Sequence, residues 1–417
     1  MDVLLISRCP PFPLYHGDRL IPYHLGRELS ARRYHIDLLA FYQRPEDVAE
    51  VPRYEQHFNS VTLIPEPRRS LRSYWQRNRQ PARRFPRRAE ESWSPPMWEA
   101  IERAIRDRAY DVVHLFGGVH VYEYWPLARQ LPNVIVPYES YTLWLERALA
   151  EETRRIPRLV KGVQLRLARQ YESWMFERFQ RVVVLTELDA QALTGLNPDT
   201  PVAVIPNGVD LDYLTPTGYE PDEPTLLFIG NYDYLPNLDA ALRLVRDIFP
   251  RIQQRMSRAR LIIVGGNPPP ELRAYASANV EITGRVPDTR TYFESALIFI
   301  SPLRLGAGIK NKILEAMAME TPVVATPLSC DGIPVAPGQH ALLGVTDEEL
   351  ANAVFRLFQD PRLRRLLQRN GRQLVEQQFT WGRVAEQYET LYAQVIEEHR
   401  NRVLDNVQAG NEQPDWS

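Results

Sequence analysis

The stretch from Ser301 to Met319 reads SPLRLGAGIKNKILEAMAM and brings together residue types that bind phosphate. Gly306 and Gly308 open a loop, a helical pattern begins near Lys312, and Lys310 and Lys312 bring two ammonium groups beside it. A glycine-containing loop at a helix N-terminus presents unpaired backbone N–H groups and the positive end of the helix dipole, a geometry suited to anions. Glu315 follows one turn later among Ile313, Leu314, Ala316 and Met317. A carboxylate in apolar surroundings is costly unless it is paired or hydrogen-bonded. Three readings of it stay open: a salt bridge to Lys312 at i−3, exposure on the outer helix face, or a carboxylate that accepts the two hydroxyls of a ribose.

The lysines are conspicuous because they are few. Among 50 basic residues only Lys161, Lys310 and Lys312 are lysine. Coding bias toward arginine accounts for the scarcity. It does not account for two of the three standing two residues apart.

The elements that must position this loop are legible as short apolar runs that each feed a helix. Val3 to Ile6 precedes a loop with Pro10, Pro11, Pro13, Gly17 and Asp18, then a helix with Ile21, Leu25 and Leu29 on one face. Leu226 to Ile229 precedes Asn231 to Asn237, then a helix with Leu238, Leu242, Val245 and Phe249 on one face. Further runs occur at 112–116, 134–136, 182–185, 261–264, 297–300 and 322–325. Continuous apolar strands followed by helices read as βα units of parallel sheets covered on both faces. The fold class is therefore α/β, as two doubly wound domains whose boundary lies between Pro206 and Pro224.

Composition bounds the rest. At 417 residues, 44% hydrophobic and 24% charged, the chain is globular and long enough for two cores. A net charge of −2 gives no electrostatic case for nucleic acid. Cys9 and Cys330 are too few and too far apart for a disulfide scaffold or a zinc cluster, which fits a reducing compartment. The run Val3 to Ile6 is too short for a secretory signal and no stretch is long enough to cross a bilayer, so a cytoplasmic protein is expected. Residues 66–90 carry nine arginines interleaved with Tyr74, Trp75 and Phe85. That segment is read either as a solvated loop or as a surface for peripheral contact with anionic membrane. Arg154 to Arg169 forms a second basic stretch, on a helix, read either as an exposed helix face, the plainer reading, or as a membrane contact.

Four runs together resemble glycosyltransferase family 4, of the GT-B fold. They are Gly308 to Thr326, Val204 to Asp210 (VIPNGVD), Leu226 to Asn237 (LLFIGNYDYLPN) and Ile282 to Asp288 (ITGRVPD), in the family's order. Pro11 to Asp18 also resembles the N-terminal loop of bacterial sugar transferases that build exopolysaccharides and surface glycans. The resemblance implies two Rossmann-like domains facing a central cleft, divided as an acceptor domain 1–206, a linker 207–223, a nucleotide-sugar domain 224–380, a C-terminal helix 381–402 packing back on the first domain, and a flexible tail 403–417. It implies transfer from a nucleotide diphosphate sugar, UDP or GDP, to a hydroxyl of a glycan, lipid-linked or small-molecule acceptor. Retention of configuration, no cofactor and no metal are expected. Asp210-Leu211-Asp212 is the Asp-x-Asp pattern nearest to a metal motif, and it falls in the connector.

By the same resemblance Lys310, Glu315 and Asp18 take catalytic roles, with Glu315 on the donor ribose. Gly306, Gly308, Asn311 and Lys312 face the diphosphate, Gly17 lies near sugar and acceptor, and Arg285 and Val286 meet the nucleobase. Glu139, at the C-terminal end of a strand, is a candidate substrate contact. Several positions depart from the family pattern. Ala307 stands where many members carry a glutamate, and Asn231 and Asn237 stand near the places of an Arg and a Lys that neutralise the diphosphate. His114 is two positions from the family's histidine and reads as structural. Two alternatives remain: a nucleotide-sugar epimerase or hydrolase, and a catalytically silent binding protein of a glycan-assembly complex.

Overall fold

The computed structural model describes residues 1–14, 17–67, 94–219 and 221–408. Most of the Arg-rich segment 66–90 and the tail from 409 lie outside the described residues. The chain forms two compact units. One comprises Met1–Thr142, Gly162–Ile205 and Val384–Ser417, the other Leu143–Lys161 and Pro206–Arg383.

In the first unit β1 (Asp2–Ser7), β2 (His35–Tyr42), β3 (Ser60–Pro65), β4 (Val112–Phe116), β5 (Asn133–Tyr138), β6 (Arg181–Val184) and β7 (Val202–Val204) form one parallel sheet, in the order β3-β2-β1-β4-β5-β6-β7. Every residue of β4 and all but the first of β1 are buried, as a sheet covered on both faces requires. Sequence reading missed β2, β3 and β7. Edge strand β3 alternates in burial because one of its faces meets solvent. Asp37 breaks the apolar run of β2, and it is buried at a polar junction. Its carboxylate accepts from Asn59 at 2.8 Å, Ser60 at 2.5 Å, Tyr110 at 2.7 Å and Arg108 at 3.0 Å. Burial alone would raise its pKa, but these donors outweigh it and hold the carboxyl below the usual range.

In the second unit β8 (Thr225–Ile229), β9 (Arg260–Val264), β10 (Val280–Gly284), β11 (Ile298–Ser301), β12 (Val323–Ala325) and β13 (Leu342–Leu343) are parallel in the order β10-β9-β8-β11-β12-β13. The core beneath them includes Leu226, Phe228, Leu244, Phe249, Leu261, Ile298 and Ile300. The helix expected after β8 is not uniform. It runs as Leu235–Arg243, a π turn at Leu244–Ile248, and Phe249–Arg255. Pro250 explains the wide turn: in a regular helix its ring would clash with the carbonyl four residues back and its missing N–H would break the ladder.

Both sheets reverse their winding, between β1 and β4 in one and between β8 and β11 in the other. Ligands of open α/β sheets bind at the carboxyl ends of the strands flanking such a reversal.

The helix Trp381–Gln408 packs its later residues within the first unit. Tyr392 Oη lies 2.5 Å from His114 Nδ1, the Tyr388 ring packs at a tilt against the imidazole with centroids 5.2 Å apart, and Gln180 Nε2 donates to the Val395 carbonyl at 3.3 Å. His114 is thus a buried histidine under that helix. Burial pushes its pKa down to about 3, against about 6.5 in an unfolded chain. As pH falls from about 6.5 toward about 3, the unfolded chain takes up a proton that the folded chain refuses. Stability should therefore fall by up to about 1.4 kcal/mol per pH unit from this group, and the loss is absent above about pH 6.5. Urea denaturation should show that extra slope in the wild type and not in His114→Gln. Parallel slopes would mean that the histidine is charged inside the fold.

Candidate functional site

The loop that leaves β11 owes its shape to two glycines and a set of braces. Gly306 and Gly308 have φ of 108° and 68°, a region that side chains with a Cβ rarely enter. At the start of the loop Thr326 Oγ1 donates to the Leu303 carbonyl at 2.6 Å, and Ser329 Oγ donates to the Ser301 carbonyl at 2.7 Å. At its end Lys310 Nζ donates back to the carbonyls of Ala307, at 2.8 Å, and Gly308. Lys310 therefore binds the loop together from within, two of its N–H donors meeting carbonyls of the loop. With those carbonyls tied down, the chain enters the helix Asn311–Ala318, whose first backbone N–H groups have no intrahelical partner. Asn311 Oδ1 accepts from Asn207 Nδ2 at 2.9 Å, which joins two of the sequence motifs.

Lys312 and Glu315 form a two-pronged ion pair, with Nζ 2.7 Å and 2.6 Å from the two carboxylate oxygens. Of the three readings of Glu315, the salt bridge at i−3 is the arrangement found. It leaves acceptor capacity, since a carboxylate offers about four lone-pair sites and the ammonium takes two. Lys312 keeps 40% of its side-chain surface exposed and Glu315 15%, so the pair lies at the surface of the helix.

The neighbouring positions divide by strand end. Asn231 and Asn237 follow β8 and hold one another: Asn237 Nδ2 donates to the Asn231 carbonyl at 3.0 Å, and Asn231 Oδ1 accepts from the Asp233 amide at 3.3 Å. They shape a turn and supply no cation. Arg285 and Val286 follow β10, where the Arg285 guanidinium lies close to the backbone of Gly266 after β9. Together these positions ring the carboxyl ends of β8, β10 and β11.

Sequence reading missed a cation. Arg147, in the helix Tyr141–Ala150, donates to the Gly306 carbonyl at 2.7 Å and lies 2.7 Å from Asp331. It thus ties down the carbonyl of Gly306. No local pattern marks it, because its partners lie far along the chain. A cavity of about 390 Å³ among Phe293, Leu297, Thr321, Gln368 and Arg369 lies elsewhere, at the entry ends of β11 and β12.

In the first unit, Gly17 and Asp18 open the helix Gly17–Ala31 and are not loop residues. Asp18 Oδ2 lies 3.5 Å from Arg8 Nε, and its carbonyl accepts from Tyr138 Oη at 3.2 Å. Tyr138 ends β5 with φ of 72°, and Glu139 follows it. Two buried carboxylates pin that turn. Glu172 accepts from Ser140 Oγ at 2.9 Å and from the amides of Tyr141 and Thr142 at 2.7 Å and 3.0 Å, while Asp189 accepts from the Ser140 amide at 2.9 Å. Burial lifts the Glu172 carboxyl above its usual range despite these donors. Asp18 and Glu139 thus stand at the carboxyl ends of β1 and β5.

Because Arg147 holds the loop, Arg147→Ala should lower the backbone order parameters of residues 306–312 from the rigid range of about 0.85 toward about 0.6 while those of β8 stay unchanged. Unchanged order parameters would assign the loop's order to its glycines and Lys310 alone.

Residues 22–213 match the sequence profile described as Glycosyltransferase Family 4, and residues 223–360 match that described as Glycosyl transferases group 1. The chain is 29% identical over 324 residues to the D-inositol 3-phosphate glycosyltransferase of Actinosynnema mirum, covering 70% of this chain and 75% of that one. It is 29% identical over 315 residues to the phosphatidyl-myo-inositol mannosyltransferase of Mycobacterium leprae, covering 73% and 78%. Sucrose-phosphate synthase from Thermosynechococcus elongatus matches in structure with a TM-score of 0.71 at 22% identity, over 95% of this chain and 99% of that one. The HepE protein of Anabaena, in complex with UDP and glucose, matches with a TM-score of 0.65 at 16% identity, over 94% and 100%. These structural likenesses show the fold, which is GT-B.

Proposed function

We infer that this chain, which belongs to glycosyltransferase family 4, moves a sugar from a nucleotide diphosphate donor to a hydroxyl group. The observation that carries the reading is the braced loop Gly306 to Lys310 at the winding reversal, feeding a helix beside Lys312 and Glu315.

The physical demand of the reaction is charge. Departure of the diphosphate adds negative charge at its bridging oxygen, beside a sugar with oxocarbenium character. Fixed donors aimed at that charge stabilise the transition state without reorganising. Here they would be the backbone N–H groups of Gly308 to Lys312, the helix dipole and the two ammonium groups. In the donor complex Glu315 would accept the ribose hydroxyls on its remaining lone pairs, leaving Lys312 between carboxylate and diphosphate. This reading needs no metal and no cofactor, and it takes the transfer as retaining.

Asp18 and Glu139 are assigned to the acceptor and the transferred sugar. Relatives named for D-inositol 3-phosphate and phosphatidyl-myo-inositol support an acceptor hydroxyl on a phosphorylated cyclitol, free or lipid-linked. Ala307, in place of a glutamate, leaves the contact to the donor sugar to other groups.

Two measurements test the assignment. A thermal-shift screen of UDP-, GDP-, ADP- and dTDP-sugars should show one donor class, since a ligand at 100 times its Kd stabilises the fold by about 2.7 kcal/mol. Lys310→Ala and Glu315→Gln should each lower turnover by about tenfold or more with the fold retained. Full activity in both variants would refute the site.

A further inference from the structure

The helix Arg155–Met175 has two characters along its length. Its later part is ordinary: Leu165, Ala168 and Met175 are buried. Its earlier part is inside out. Ile156, Leu159, Val160 and Val163 are 77%, 72%, 51% and 55% exposed. Their spacing of i, i+3, i+4 and i+7 is one face of an α-helix, the stripe that a globular protein ordinarily turns to its core. An exposed contiguous apolar stripe rimmed by polar groups marks an interaction surface.

The charge around the stripe is one-sided. From Arg154 to Gln170 the sequence holds six basic residues and no acidic one. Arg154, Arg155, Arg158, Arg166 and Arg169 are exposed. Glu152, just before, accepts from Lys161 at 2.9 Å and Arg154 at 3.1 Å, so one carboxylate answers two of the six cations. Among the described residues no helix is long and apolar enough to cross a membrane.

We propose that this face docks in the plane of an anionic lipid surface. Ile156, Leu159, Val160 and Val163 enter the boundary between head groups and acyl chains, and the flanking arginines lie on the phosphates. An apolar stripe with basic side chains beside it is the composition of an interfacial helix. Arginine suits the role because its stem packs on apolar surface while the guanidinium stays among head groups. A second copy of the chain fits poorly, since pairing two such faces would set like charges against each other. The inference stands apart from the assignment of the donor site, because vesicle binding requires no turnover.

Flotation of the full chain with vesicles tests it. With phosphatidylcholine alone little protein should float. Adding phosphatidylglycerol should raise the bound fraction about tenfold or more. Leu159→Ser with Val163→Ser should remove about tenfold of that binding at an unchanged thermal midpoint, since both side chains are exposed. Arg158→Glu with Arg166→Glu should remove the preference for anionic lipid. Binding that survives both double substitutions would belong to another surface, such as residues 66–90, and overturns the proposal. So does a failure to bind anionic vesicles. Self-association in sedimentation that Leu159→Ser with Val163→Ser abolishes, without vesicle binding, would give the face to a second copy.

Discussion

Between β8 and β11 the crossover connections leave in opposite directions, and the carboxyl ends of those two strands are left with only loops to cover them. Backbone in that position must satisfy its own polar groups or offer them to a ligand. The chain divides the task by polarity. Carbonyls of the loop after β11 turn inward to Lys310, Arg147, Thr326 and Ser329. The first N–H groups of the next helix have no intrahelical partner.

Each of the three lysines sets its ammonium on two acceptor atoms. Lys310 clamps two carbonyls of its own loop, Lys312 grips both oxygens of Glu315, and Lys161 joins the Ala148 carbonyl to Glu152. Lys310 and Lys312 reach acceptors two or three residues away along the chain, and Lys161 reaches back 9 and 13 residues. A guanidinium presents a planar fork, which suits partners such as Asp239, held by Arg304 through two bonds of 2.8 Å.

Strands buried on both faces were legible because burial dictates an apolar run, as in β1, β4, β8 and β9. Strands at the sheet edges, β3 and β10, were not, because one of their faces is polar. The phosphate-type loop could be read because glycine spacing, lysines and helix onset are all local. Arg147, Glu172 and Asp189 could not, since each acts through partners that only the fold brings near. The pairing of Lys312 with Glu315 was foreseen as one of three readings. No pattern could choose among them, because the choice depends on what else comes within reach of the carboxylate. The exposed stripe of the helix Arg155–Met175 shows the same limit in reverse: its periodicity is visible in sequence, but that the stripe faces solvent is a property of the fold.

The shortage of lysine also makes the loop after β11 chemically addressable. Reagents that acylate or reductively alkylate amines ignore guanidinium groups, so along this chain they meet only three side-chain ammonium groups. Lys312 is the most open of them, at 40% exposed against 21% for Lys161, while Lys310 is partly buried with its nitrogen on loop carbonyls. An acyl group on Lys312 would discharge the partner of Glu315 at the helix head. Lysine labelling is therefore a reporter placed by composition at the head of this helix.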